Sequence, residues 1–428
     1  MKSHTTRTLI WLGLTGTVVL LLLGVAIAAQ AAQAPTIRSQ AETDIPVFLP
    51  AIFDGRSSLP PAAGDEYIVI GWNDLGMHCY DFDYSVLSVL PPYNTLWAQV
   101  IRRGNPPELV TDGVVVEYSF PENTRSDNKT NFWDYEDKLF GVDLAPNVGL
   151  AGFGLADEME LKSGYFEAVG IPLTEFTDSH PTTPEYLQLA EIVAKDATTH
   201  EVLASSQVVA PVSSEMRCDV CHDEPFQNDF RRSILAKHDE EEHTSLLAQA
   251  DAGDPVLCAD CHADPALGMP GIPEAGSLSA VMHSKHVEEE EAFPSDPYQQ
   301  NCYACHPGPD TKCLRDVMST QYDMTCVDCH VGGMQALGSR SRTPWVDEPR
   351  CGNCHDAQYA ENQDTLYRFS TGHGGLYCES CHNSTHAILT SREQRDNLQV
   401  IALQGYAGTL QDCMVCHTVM PTEGGPHE

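Results

Sequence analysis

Positive charge is scarce in this chain. Against 61 Asp and Glu it carries 24 Lys and Arg, for a formal net charge of −37. Such a surface repels phosphate backbones, which excludes nucleic-acid binding, and it disfavours charge-driven adsorption to an anionic membrane. No Ser-His-Asp constellation and no Gly-rich phosphate loop stands out. Cysteine is nearly missing from residues 66–213, where Cys79 stands alone, although the whole chain holds 16. Acidic residues are missing altogether from residues 1–34.

That first segment holds Lys2 and Arg7, an apolar run from Leu9 to Ala29, and Ala-x-Ala patterns such as Ala29-Gln30-Ala31. This is the layout of a secretory signal peptide. Left uncleaved, a run of about 20 residues is also long enough to anchor the chain in a bilayer. Either outcome places the remainder outside the cytoplasm, in the periplasm, at the cell surface or in the extracellular space. Residues 35–65, rich in Pro, Ala and Ser, read as a linker.

With 428 residues, 42% apolar and 20% charged, the chain is globular in composition and long enough for two domains or three small ones. Its two halves differ. Residues 66–213 contain β-branched and aromatic runs such as Tyr67–Ile70, Leu96–Ile101 and Val114–Tyr118, and Leu187–Ala194 with Val202–Val212 flank a polar turn at Thr198-Thr199-His200 as a hairpin would. We expect a β-sandwich-like, immunoglobulin-like domain there, with a mixed α+β module as the alternative.

From residue 214 to 428 the pattern Cys-x-x-Cys-His recurs seven times: Cys218, Cys221 and His222; Cys258, Cys261 and His262; Cys302, Cys305 and His306; Cys326, Cys329 and His330; Cys351, Cys354 and His355; Cys378, Cys381 and His382; Cys413, Cys416 and His417. Two thiols at this spacing can add to two vinyl groups on one porphyrin edge, and the next residue then falls under the iron as an imidazole ligand. A thioredoxin-like redox dithiol would need a βαβ context and would occur once, and zinc knuckles would tolerate any residue after the second Cys. Histidine follows it every time, so seven c-type haems are expected, with these seven histidines as proximal ligands. The intervals between first cysteines are 40, 44, 24, 25, 27 and 35 residues, which excludes a strict solenoid repeat. Roughly 30 residues per haem cannot enclose each macrocycle separately. The haems must form one another's core, in a mostly irregular region of short helices, and pass electrons between themselves.

Each iron needs a second axial ligand or an open site. His78, His238, His243, His283, His286, His373 and His386 are the distal candidates; His180, His200 and the terminal His427 are set aside. His283 and His286 lie three apart in a short helix expected over Leu278–Val287, placed to serve two neighbouring haems. His373 and His386 bracket the sixth motif. Methionine is the rival ligand, but Met in such numbers is more often packing. Bis-His ligation, exposed haems and a negative surface all favour low potentials. Outside the motifs Cys79 and Cys313 remain, an even remainder that suggests a disulfide in an oxidising compartment. The runs Asp239-Glu240-Glu241-Glu242 and Glu288-Glu289-Glu290-Glu291 read as solvated faces, with calcium binding as the weaker alternative.

On these motifs, and on Thr371-Gly372-His373 crowded against Cys378–His382 and His386, the chain resembles the multihaem c-type cytochromes of extracytoplasmic and extracellular electron transfer. Asn73-Asp74-Leu75-Gly76-Met77-His78-Cys79 is also similar to the module that precedes the haems in some of them. The resemblance covers about half the chain. It implies bis-His haems carrying electrons in a line to redox protein partners or extracellular acceptors, and in some relatives head-to-tail polymerisation into a filament. The β module departs from the filament formers. The competing function is a multihaem reductase of a small nitrogen or sulfur oxyanion, which needs one iron with an open side.

Overall fold

The computed structural model describes residues 66–288, apart from 223, 227 and 228, and residues 302–427. The expected signal segment and linker lie outside the described residues, as do Glu289, Glu290 and Glu291 of the second acidic run. Among the described residues no helix is long and apolar enough to cross a membrane.

Twelve strands are present among the described residues: β1 Tyr67–Trp72, β2 His78–Cys79, β3 Leu87–Ser88, β4 Asn94–Arg102, β5 Glu108–Val110, β6 Val114–Ser119, β7 Ala156–Glu158, β8 Glu160–Leu161, β9 Phe166–Ile171, β10 Leu187–Asp196, β11 Val202–Ser213 and β12 Val256–Leu257. Period-2 alternation explains β6, where Val114, Val116 and Tyr118 are buried and the residues between them are half-buried. One sheet runs β1-β4-β9-β8, with β5 also pairing β4; the other runs β2-β11-β10-β6-β7. The β10–β11 hairpin is antiparallel from Leu187↔Pro211 to Lys195↔Val202.

The two sheets face each other across a shared core. Val69, Leu96, Ala98 and Phe166 come from the first, and Val116, Tyr118, Ile192 and Val208 from the second. Burying each large apolar side chain there contributes about 1.5–3 kcal/mol. Gly71 lets the layers meet, because a Cβ at that position would stand 2.4 Å from Ile192 Cδ1 and 2.8 Å from Val208 Cγ2.

Short helices dominate the rest: α1 Glu136–Phe140, α2 Phe230–Glu242, α3 Leu246–Asp251, α4 Leu278–His286, α5 Val317–Tyr322, α6 Cys326–Cys329, α7 Gly333–Leu337, α8 Cys378–His382 and α9 Leu398–Gln404. The described residues belong to one compact unit, so both halves pack together. The C-terminal segment covers the first sheet, as Leu389, Val400, Leu410 and Val415 pack on Ile68, Ile70 and Ile101. Gln399 of α9 bonds both backbone groups of Gly71, accepting from its N–H at 2.9 Å and donating to its carbonyl at 2.8 Å. Strand β12, just ahead of the second motif, pairs in parallel with β3.

Candidate haem-binding sites

All seven motifs wind into one turn. In six of them the histidine N–H donates to the carbonyl of the first cysteine, at 2.9 Å for His222, 3.0 Å for His262, 2.9 Å for His306, 2.8 Å for His330, 2.9 Å for His355 and 2.8 Å for His417. The remaining one, the sixth motif Cys378–His382, is the helix α8 itself. Positions i, i+3 and i+4 of such a turn share one face, so two thiols and an imidazole are presented together.

Six motif histidines stand opposite a second imidazole. The ring centroids are 6.2 Å apart for His222 and His286, 6.3 Å for His262 and His238, and 6.0 Å for His306 and His283. They are 6.4 Å apart for His330 and His386, 5.8 Å for His382 and His427, and 6.0 Å for His417 and His373. A metal about 2 Å from each ligating nitrogen, itself about 1.1 Å from its ring centroid, sets two axial imidazoles about 6.2 Å apart. The residues therefore fit an axially ligated haem. Among the described residues no group of three or more His, Cys, Asp or Glu converges as a cage-type metal site needs.

Orientation and protonation agree with ligation. His283 and His286 direct Nδ1 at the carbonyls of Ser279 and Met282, each 2.7 Å away, and His238 Nδ1 lies 3.0 Å from Thr244 Oγ1. Holding Nδ1 in this way leaves Nε2 for a metal. Burial pushes the imidazoles of His306, His382 and His386 down to about 4, helped by neighbouring imidazoles, so they stay neutral. Burial also lowers His222, His262, His283, His330 and His417.

The motifs form a row. Burial is the main cause raising the thiols of Cys258, Cys218, Cys305, Cys329, Cys351 and Cys416, and a thiol of another motif adds to each: Cys218, Cys305, Cys221, Cys354, Cys378 and Cys381 respectively. Cys326 is raised first by its hydrogen bond with Cys302. The neighbours thus run second motif, first, third, fourth, fifth, sixth, seventh. Helix α4, capped by Ser277 Oγ accepting from Ala280 N–H, carries His283 to the third motif and His286 to the first.

Two distal candidates are not brought to a motif histidine. His78 is buried in β2, its Nε2 2.8 Å from Asp74 Oδ1. His243 is exposed and ends α2 in the left-handed conformation at φ 56°. In their place stands His427, which sequence reasoning set aside as terminal; the pattern Gly424-Gly425-Pro426-His427, a turn followed by a histidine, was its only signal. His373 and His386, which bracket the sixth motif in sequence, face the seventh and the fourth.

Cys79 and Cys313 are near neighbours in the fold. Burial pushes Cys79 well up with Cys313 adding to it, and burial pushes Cys313 up to about 11. In the first acidic run Asp239 accepts the N–H groups of Leu246 and Leu247 at the start of α3, while Glu241 and Glu242 pair with Lys285. No family model, no curated protein and no solved structure matches the chain.

Proposed function

We propose that this protein is an electron-transfer cytochrome outside the cytoplasm, holding seven c-type haems in a row through its Cys-x-x-Cys-His turns. The six imidazole pairs at axial spacing carry this reading. Bound haem supplies one-electron redox chemistry, passed between neighbouring irons. The chain's own part would be to attach each haem by two thioethers, to orient His238, His283 and His286 through Nδ1, and to keep His283, His306, His382 and His386 neutral by burial. Imidazole on both faces and a surface at −37 both stabilise the ferric state, so low potentials follow. Redox proteins or extracellular acceptors are the fitting partners. A haem stain of the denatured polypeptide, with pyridine haemochrome quantification, tests this: seven covalent haems and a mainly low-spin ferric spectrum are expected. A blank stain overturns it.

A further inference from the structure

The histidines do not divide evenly. Every histidine except His4 lies among the described residues, and six motif histidines have an imidazole across from them. His355 does not. Four described histidines remain, and each is occupied elsewhere. His78 is bound to Asp74 inside the β module, and His180 bonds Ser179. His200 sits in the β10–β11 turn at φ 58°, and His243 ends α2. The fifth motif nonetheless makes the same turn as the others, with His355 N–H 2.9 Å from the Cys351 carbonyl, and its thiols neighbour those of the fourth and sixth motifs. It has the attachment turn and the place in the row but, among the described residues, no second imidazole at the spacing of the other six. Residues 352–359 around it are exposed to solvent.

Resting on the cytochrome reading above, we propose that the haem held by Cys351, Cys354 and His355 keeps one axial position for a small exogenous ligand that is neutral, a diatomic such as CO or NO. Neutrality follows from charge. The chain stands at −37 and Asp356 adjoins the motif, while Glu361 beside Cys351 is paired with Arg350 and adds no net charge. Acidic surroundings of this kind oppose the approach of nitrite or sulfite, while an uncharged diatomic meets no such barrier. This distinguishes a gas-binding position from an oxyanion reductase centre.

The test is a CO titration of the reduced full-length holoprotein, with EPR of the ferric form. One CO per chain and one high-spin haem in seven are expected. Replacing both Cys351→Ser and Cys354→Ser should leave six haems and abolish CO binding, whereas His243→Ala should leave the stoichiometry at one. Low-spin signals throughout, with no CO bound, overturn the proposal while leaving the cytochrome reading intact. So does a methionine-to-iron charge-transfer band in place of the high-spin signal, or a high-spin fraction that appears only on dilution, which marks a histidine lent by a second copy. If the double variant fails to fold, the wild-type CO count and EPR still decide. A protein without covalent haem overturns the underlying reading instead.

Discussion

Replacing Asp396 with asparagine strands a buried cation. Arg315 and Asp396 have side chains 1% exposed, and they meet through two parallel hydrogen bonds, Nε to Oδ2 at 2.6 Å and Nη2 to Oδ1 at 3.0 Å. Ser391 Oγ donates to the same carboxylate at 2.6 Å, and Arg315 Nη1 donates to the carbonyls of Gly76 and Cys313. The Arg315 backbone N–H donates to the carbonyl of His386 at 2.8 Å. The pair thus ties β-module backbone, the Cys313 loop and the loop carrying His386 to one point. Breaking a buried pair by removing one charge costs about 3–5 kcal/mol, because the remaining ion has lost its compensation. We expect Asp396→Asn to lower unfolding free energy by that amount in urea titrations followed by far-UV circular dichroism. Arg315→Met combined with Asp396→Leu should recover most of the loss, since similar-sized apolar replacements leave no charge buried. A loss below about 1 kcal/mol, or a double variant no better than the worse single one, would refute this account of the pair.

Other outcomes follow from the same geometry. His427→Ala should turn one low-spin haem high-spin in the ferric spectrum, and His78→Ala should turn none; the reverse pattern removes His427 as a ligand. Burial raises the Asp81 carboxyl from 3.8 to about 6, against backbone hydrogen bonds from Leu90 and Val89 and the nearby Arg231. A raised acid binds its proton more tightly in the fold, so its contribution is full below pH 4 and lost as pH rises through 6. That amounts to about 3 kcal/mol. Asp81→Asn should remove this slope from the stability–pH curve, and a curve unchanged between pH 4 and 6 counts against it. Purified from an oxidising compartment, the protein should resist alkylation at Cys79 and Cys313 after denaturation without reductant, because the two neighbouring thiols join; two labelled cysteines by mass spectrometry would show them free.

Features set by neighbours in the chain were legible beforehand. Cys-x-x-Cys-His closes on itself through an i+4 bond, the β10–β11 hairpin needs only a polar turn between two alternating runs, and α4 needs only its Ser277 cap. The distal pairings were not legible. His222 and His286 are 64 residues apart and His330 and His386 are 56 apart, so only the packed chain decides who faces whom. His78 and His243 show the same dependence on packing, since Asp74 holds His78 inside the β module and the end of α2 turns His243 to solvent. His427, placed apart for its position at the end of the sequence, lies beside both His382 and Tyr359.

Because α4 sets His286 opposite His222 and His283 opposite His306, the first and third motifs are mechanically yoked. With haem held at both, as proposed, a substitution that tilts this helix would disturb the two sites together, and neither could be adjusted there alone.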